Sequence, residues 1–450
     1  MKLFLAIVVC KILRFVGGLM GKGSSLPGQF ALKLCPDALG RVTLPPRVIA
    51  VTGSNGKTST VEMIAAILAA AGKQVVYNRE GSNQIEGVAT LILTHCTLSG
   101  KMRGDVLLLE SDERYAKFSF KWFRPTHFVI TNLYRDQLTR NGHPEWVYDA
   151  ILPAIHPETT LVLNADDPLV SRFAGGHDAG KVKWFGLEEC PASAREHRGM
   201  YHDGVRCPVC FGRMEYSCYH YAHIGHYRCT ECGHSRHAPD FAATALDLQE
   251  GRLTINGETD IRLAFRSIYN VYNILAAWSV CALTGVDADA MAGVISSYIL
   301  KNGRMITFTL GGHKGTLLTS KHENSVAYDT NLSYIEARET PCEVMVIVDA
   351  VSRKYFTGET SWLWDIDFDR LAAPHVEKVW LCGKYVNDLA LRFDYSAVPA
   401  DRLVLRESIA EAAEELKNGG GLPLYVVTCF SDRDKLLAHV QRDQEVRIWS

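Results

Sequence analysis

Short apolar runs rich in β-branched residues alternate along this chain with longer stretches of helical spacing. The first clear strand is Val48-Ile49-Ala50-Val51, and Ser59 to Ala71 repeats apolar residues at helical intervals until Gly72 stops it. Further strands read at Val106 to Leu109, His127 to Thr131 and Thr160 to Leu163. Such alternation predicts an α/β fold with a parallel sheet covered on both faces. Tyr272 to Leu283 predicts a helix that resumes this domain, and Asn302-Gly303-Arg304 a turn near its end. Strands at Glu343 to Val348, Lys378 to Leu381 and Leu424 to Thr428, with a helix over Ser408 to Lys417, predict a second, Rossmann-like α/β domain.

Residues 200 to 238 break the pattern, being rich in Cys, His, Tyr and Gly without core periodicity, and read as an inserted module. The expected division is therefore a helical segment over 1–45, a central domain over 46–309 carrying the insert, and a C-terminal domain over 310–450. Met1 to Gly21 is apolar, but Lys11 and Arg14 interrupt it, so no span of about 20 uninterrupted apolar residues exists. A packed or interfacial helix is the favoured reading there, ahead of peripheral membrane contact and of a true span.

Composition narrows the function classes. A formal net charge of -2 leaves no basic excess to attract nucleic acid. The 13 cysteines are scattered and only four show paired spacing, which points to a reducing cytoplasm rather than a disulfide scaffold.

Thr52-Gly53-Ser54-Asn55-Gly56-Lys57-Thr58 lies between the first strand and its helix, where backbone N–H groups and a helix N-terminus favour phosphate. Lys57 can pair with β- and γ-phosphates, and Thr58 can offer a hydroxyl to Mg²⁺. Glu110 ends a predicted strand, the edge at which open α/β sheets place ligands, and its hard oxygens suit Mg²⁺. Cys207-Pro208-Val209-Cys210 and Cys229-Thr230-Glu231-Cys232 form two C-x₂-C knuckles separated by 18 residues, the spacing of a Cys₄ zinc ribbon. Four cysteines leave no position for water, so a structural role is expected. The tight turns such knuckles need are expected at Phe211-Gly212 and Gly233. Cys218, His220, His223, His226, His234 and His237 are read as surface residues. Asp349 follows an apolar strand, where either a helix N-cap or a functional carboxylate fits.

The loop wording resembles the Mur ligases, which carry a Gly-Gly-Lys-Thr-type sequence at this place. The resemblance continues in Gly81-Ser82-Asn83 with Gly87, in Leu109-Glu110-Ser111-Asp112-Glu113, in Thr131-Asn132-Leu133-Tyr134-Arg135-Asp136-Gln137 and in Asn164-Ala165-Asp166-Asp167-Pro168. It implies an ATP site built from Gly53, Asn55, Gly56, Lys57, Thr58 and Ser59, with Asn273 and Arg304 contacting the nucleotide. By the same resemblance Thr58 and Glu110 are Mg²⁺ ligands, and Glu113 is a weaker candidate. Gln137 stands where amino-acid-adding members usually carry His, and together with the zinc ribbon it is similar to the amidating branch of the family.

For that branch the resemblance implies amidation of the D-Glu α-carboxylate of lipid II through an acyl phosphate, with ammonia from a GatD-like glutaminase partner. Asp349 and the aromatic run Ser361 to Phe368 match this branch, in which the Asp completes a triad with the partner's Cys and His. Lys57, Glu110 and Asp349 are thus the expected catalytic residues. The implied place of work is the cytoplasm, at the inner face of the membrane if the N-terminal helix touches it. The sequence departs from the branch at Val348, at Phe356-Thr357-Gly358-Glu359-Thr360 and at Ser320-Lys321-His322-Glu323-Asn324. An amino-acid-adding ligase and a nucleotide-binding scaffold that activates the glutaminase are the rival readings.

Overall fold

Strands buried on both faces are what an all-parallel sheet requires, and the sequence supplies them in Val106–Glu110, every residue of which is buried. The computed structural model describes residues 1–19, 24–78, 82–135, 142–263, 267–298, 305–321, 323–350 and 358–442. The chain forms two compact units, one comprising Met1–Tyr134, Pro144–His197 and Asp203–Ile299, the other Arg135–His143, Arg198–His202 and Leu300–Ser450.

The first unit opens with helices α1 (Lys2–Leu19), α2 (Leu26–Leu34) and α3 (Ala38–Arg41). A regular alternation follows: β1 (Arg47–Thr52), α4 (Lys57–Ala70), β2 (Val75–Tyr77), α5 (Ile85–His95), β3 (Val106–Glu110), α6 (Ala116–Phe120), β4 (His127–Ile130), α7 (Pro144–Ile151), β5 (Thr160–Asn164), α8 (Pro168–Ser171) and β6 (Val182–Leu187). The insert contributes the hairpin β7 (Met214–Tyr221) and β8 (Ile224–Cys229). The unit closes with β9 (Phe241–Asp247), β10 (Arg252–Ile255), β11 (Thr259–Arg262), α9 (Ile268–Leu283) and α10 (Ala288–Ser297).

Among the described residues nine strands form one sheet in the order β11-β10-β9-β6-β5-β4-β1-β3-β2. It is parallel from β2 to β9 and antiparallel only in β9-β10-β11. β1 lies between β3 and β4, third from the β2 edge, so the loop after it opens at the strands' C-terminal edge. Helix α9 is apolar all round, buried continuously from Val271 to Cys281, and packs against α4.

The second unit contains β12 (Met305–Leu310), β13 (His313–Ser320), α11 (Ser325–Glu336), β14 (Cys342–Ile347), β15 (Val376–Cys382), α12 (Val386–Asp394), β16 (Leu403–Arg406), α13 (Ile409–Lys417), β17 (Leu424–Cys429), α14 (Phe430–Leu437) and β18 (Gln441–Arg442). Seven described strands pair in the order β16-β15-β14-β17-β13-β12-β18, with the partners of β12 antiparallel and the rest parallel. Because β12 hydrogen-bonds along its length to β13, the chain enters this unit before residue 310. The aromatic run is core rather than loop surface: Ser361–Asp365 makes a 3₁₀ turn that buries Trp362, whose ring lies 5.4 Å from that of Tyr328.

At the N-terminus α1 buries Ala6, Ile7 and Cys10 in a cluster shared with Ala31 of α2 and Val88, Ala89 and Ile92 of α5. No helix of the described residues is long and apolar enough to cross a membrane. α2 and α5 approach closely at Gly28, whose N–H donates to Thr90 Oγ1 at 2.8 Å. A Cβ there would lie 1.9 Å from Glu86 O and 2.7 Å from Thr90 N. Gly→Ala inside a helix ordinarily stabilises by about 0.5–1 kcal/mol. At this contact we expect the sign to reverse, with Gly28→Ala losing about 1–3 kcal/mol in urea denaturation because the helices must separate; a gain would show that they do not meet there.

Candidate functional site

The loop after β1 is shaped by glycines at two places with left-handed backbone. Gly53 has φ +127°, and a Cβ would meet Thr131 Oγ1 at 2.3 Å and Asn132 O at 2.9 Å. Gly56 has φ +85° and caps α4, and its Cβ would meet Asn273 Oδ1 at 2.1 Å. The turn rests on residues that follow β4. Asn132 O accepts from Ser54 N at 2.9 Å, Asn132 Oδ1 accepts from Asn55 N at 2.8 Å, and Thr131 Oγ1 donates to Asn55 O at 2.8 Å. Ser54 Oγ donates to Tyr134 O and accepts from Tyr134 N. The loop thus has its path fixed by the residues beneath it, and the N-terminus of α4 is left as an end that can take phosphate.

Lys57, only 7% exposed, is the first residue of α4. Its ammonium donates to Gly53 O and pairs with buried Glu113. Thr58 Oγ1 donates to Glu110 Oε2 at 2.8 Å, so a hydroxyl and a carboxylate converge at the end of β3 beside the helix start. These hard oxygen donors fit Mg²⁺. Glu110 is held by Asn78, which donates to its carbonyl at 3.0 Å and accepts its N–H at 2.9 Å. Asn273, on α9, reaches the loop at Gly56 and donates to Asn270 Oδ1 at 3.2 Å. Ser59 lies half-buried in the first turns of α4. Arg304, together with Gly81, Asp136 and Gln137, lies outside the described residues.

The four paired cysteines meet in the insert, with all four sulfurs within 4.8 Å of one another. Cys207 and Cys232 are 3.7 Å apart and Cys210 and Cys229 3.5 Å, close to the roughly 3.8 Å edge of a tetrahedron with Zn–S bonds of about 2.3 Å. N–H groups of Val209, Gly212, Glu231 and Cys232 point at sulfur, each at 3.4 Å. The Cys232 N–H, against some burial and helped by Glu231, pulls the Cys229 thiol down to about 6, while burial pushes the Cys207 thiol up. Crowded sulfurs of this kind cannot all ionise without a cation, so the donor set fits zinc. The turn chemistry differs in one detail from expectation: the left-handed residue after the first knuckle is Phe211, φ +63°, not Gly212. Gly212 is needed for proximity, since a Cβ would lie 2.7 Å from the Glu231 carboxyl carbon.

The reading of the neighbouring donors as surface residues is overturned. Cys218, His220 and His223 are buried, His226 and His234 are half-buried, and only His237 is exposed. The hairpin folds back onto the sheet, where His220 Nε2 and His226 Nε2 approach Leu187 O at 3.1 and 2.9 Å, and His223 faces Asp167 at 3.5 Å. Their polar atoms meet the end of β6 and the turn after β5, contacts that hydropathy does not register.

In the second unit Asp349 follows β14. Its Oδ1 accepts the Lys384 N–H at 2.8 Å and its Oδ2 pairs with Lys435. Asp432, fully buried, accepts the N–H groups of Asp349 and Ala350 at 2.8 and 2.9 Å and pairs with Lys435 at 2.8 Å. Partial burial raises the Asp349 carboxyl, but Lys435 and the Lys384 N–H outweigh it and hold the pKa below its ordinary value. Gly383, φ +106°, permits this approach, because a Cβ would lie 2.6 Å from Val348 O. Lys435, Asp432, Glu113 as the Lys57 counter-ion and Asn78 escaped the sequence reading; only Glu113 stood inside a quoted motif.

The Mur ligase middle domain family matches residues 51–281 and the MurT ligase C-terminal family residues 322–432. The chain is 30% identical to the lipid II isoglutaminyl synthase (glutamine-hydrolyzing) subunit MurT of Streptococcus pneumoniae, over 96% of this chain and 95% of that one. It is 29% identical to the protein of the same name from Staphylococcus aureus, over 93% and 94%. In fold it resembles a pseudomurein peptide ligase type C from Methanothermus fervidus, with a TM-score of 0.68 at 20% identity over 90% of this chain and 80% of that one. It also resembles MurF from Acinetobacter baumannii, with a TM-score of 0.62 at 17% identity over 91% and 80%.

The two loop glycines should differ under substitution. Gly53→Ala meets backbone atoms of Asn132, whereas Gly56→Ala meets a single side-chain amide that can rotate away. We expect Gly56→Ala to cost about 1–2 kcal/mol of left-handed strain and Gly53→Ala about 1–3 kcal/mol more, compared by chemical denaturation. Equal losses would mean that the Asn132 floor yields.

Proposed function

The chain belongs to the MurT branch of the Mur ligase family, and from that membership we propose that it is the ATP-consuming subunit of a lipid II isoglutaminyl synthase in peptidoglycan synthesis. The observation that carries this reading is the match along 95% of a relative bearing that name, which spans both the nucleotide-loop half and the C-terminal half.

The residues support the following division of work. The N–H groups at the start of α4 and the Lys57 ammonium would bind the β- and γ-phosphates of ATP and stabilise charge on the transferring phosphoryl group. Thr58 and Glu110 would hold Mg²⁺, which supplies charge neutralisation on the phosphate oxygens. Asn273 and Arg304 would contact the nucleotide. A D-Glu α-carboxylate oxygen attacks the γ-phosphorus, the bond to the β-phosphate oxygen breaks and ADP leaves. Ammonia then attacks the acyl carbon, the C–O bond breaks, and inorganic phosphate and a proton depart.

Ammonia would come from a GatD-like glutaminase. Ten of the thirteen cysteines here are buried, and burial pushes the thiols of Cys10, Cys382 and Cys429 up to about 12, far from a nucleophilic thiolate. Asp349, ionised and a quarter exposed, would orient and charge-stabilise a partner histidine. Cys207, Cys210, Cys229 and Cys232 would hold a structural Zn²⁺.

Two measurements test these assignments. With ATP, lipid II and glutamine, amidation is expected only when a GatD-like subunit is present; Lys57→Ala should lower it at least about 100-fold, and Asp349→Asn should abolish glutamine hydrolysis while sparing amidation from ammonia. ATP turnover with an added amino acid but never with ammonia would return the chain to the amino-acid-adding ligases. Full amidation by Lys57→Ala, with glutaminase lost in Asp349→Asn, would make it a scaffold. For the ribbon, metal analysis of purified protein should give about one zinc per chain, lost together with a lower melting temperature in Cys207→Ser; metal-free protein with an unchanged melt would remove the assignment.

A further inference from the structure

Helix α1 is apolar on two opposite sides. Leu3, Ala6, Ile7 and Cys10 pack inward with α2 and α5. At 100° per residue, Phe4, Leu5, Ile12, Phe15 and Val16 fall on the other side, and all are exposed, Phe15 by 73% and Ile12 by 56%. The neighbouring α2 does the same with Leu26, Phe30 and Leu34, one residue per helical turn along its outer face. Two contacting helices therefore present contiguous large apolar side chains to the outside, an arrangement that marks an interaction surface rather than scattered exposed hydrophobics.

Charge selects what covers it. The first 36 residues include five basic and no acidic residues, although the whole chain is net -2. Lys2 and Lys33 are exposed beside the apolar stripes, while Lys11 reaches inward to Thr94 O. Such a surface repels an identical copy of itself and attracts an anionic one. An apolar helix face edged by lysines and free of acids is the pattern that lies in the headgroup layer of a bilayer, with the ammonium groups at the phosphates.

We propose that α1 and α2 form a docking face for an anionic lipid surface, with the apolar stripes entering the headgroup boundary and Lys2 and Lys33 pairing with lipid phosphates. This places the first unit on the bilayer without crossing it, consistent with the absence of a spanning helix among the described residues. The inference does not need the amidation reaction; a lipid-linked substrate only makes the placement useful.

Flotation of the full-length chain tests it, using vesicles of phosphatidylcholine alone and of phosphatidylcholine mixed with phosphatidylglycerol, with no substrate present. The wild type should float with the anionic vesicles and much less with the neutral ones. Ile12→Gln/Phe15→Gln/Phe30→Gln should lower that partition at least about tenfold, and Lys2→Glu/Lys33→Glu about tenfold as well. The charge reversals lie at exposed positions and decide the matter if the triple variant fails to fold. No flotation, equal flotation with both vesicles, or partition unchanged in the variants would overturn the proposal. So would a wild-type dimer that the triple variant turns into a monomer, which would assign the face to a second copy of the chain.

Discussion

A lysine ammonium taken almost wholly out of water is the constraint around which the first unit is arranged. Burying such a charge costs several kcal/mol unless it is paired and hydrogen-bonded. Lys57 meets that demand with Glu113, just after β3, and with the carbonyl of Gly53, just after β1. Those contacts hold the turn back over its own helix start, which requires the positive φ values at Gly53 and Gly56. Asn132, after β4, supports the turn from below, and Asn164, ending β5, donates to Thr131 O at 3.0 Å. Four adjacent parallel strands thus each contribute from the same edge, which explains why quoted motifs recur at strand ends.

The same edge carries a second buried charge problem, and its solution joins the insert to the nucleotide loop. Asp166 and Asp167 are both fully buried after β5. Asp166 accepts from Leu187 N, Tyr272 Oη and Arg236 Nε, at 2.7, 2.6 and 2.6 Å. Asp167 accepts from Leu133 N, caps α8 and faces His223. Arg236 and His223 come from the insert, so the ribbon module supplies the positive charge that these carboxylates lack. Burial lowers the His223 pKa, but Asp167 and its hydrogen bond outweigh it and leave the group above its ordinary value. Its contribution to stability is therefore complete below the unfolded value of about 6.5 and fades as pH rises through the higher folded value. The insert is thus a brace for the strand edge that also holds Asn132.

What could be read from the sequence follows the range of the interactions. The strands, α4 and the glycine loop are legible because their signals are local: β-branched runs, helical spacing, and a Gly-x-x-Gly-Lys-Thr wording, although the residues that fix the path of the loop, Thr131, Asn132 and Tyr134, lie far away in sequence. The four cysteines were legible for the same reason, two knuckles each closed by its own N–H···S bonds. The Lys57–Glu113 pair, the Asn78 clamp on Glu110 and the Asp432 support beneath Asp349 join residues 32 to 83 positions apart, and no periodicity announces them. The histidines of the hairpin were misjudged because composition treats His as polar surface, whereas β7 alternates inward at Met214, Cys218 and His220 and finds its partners on a strand 30 residues earlier. The aromatic run Ser361 to Phe368 predicts no element because 3₁₀ turns leave no periodic trace, although Trp362 and Phe368 fill the second core.

The second unit treats a charge at a strand end differently from the first. Lys57 is buried with one counter-ion, Glu113, whose place the phosphates of the proposed nucleotide would take. In the role proposed for it, Asp349 would keep its own charge while presenting it outward. Asp432 anchors the backbone at residues 349 and 350, Lys435 bridges the two carboxylates, and Lys384 donates its N–H to the remaining oxygen of Asp349. An ionised carboxylate offers about four acceptor directions, so two contacts leave room for a further N–H donor. A fixed, charged and incompletely used acceptor at a strand end is what orienting an imidazole demands. A free aspartate on a mobile loop would have the charge without the direction, and one wholly enclosed, like Asp432, would have the direction without the access.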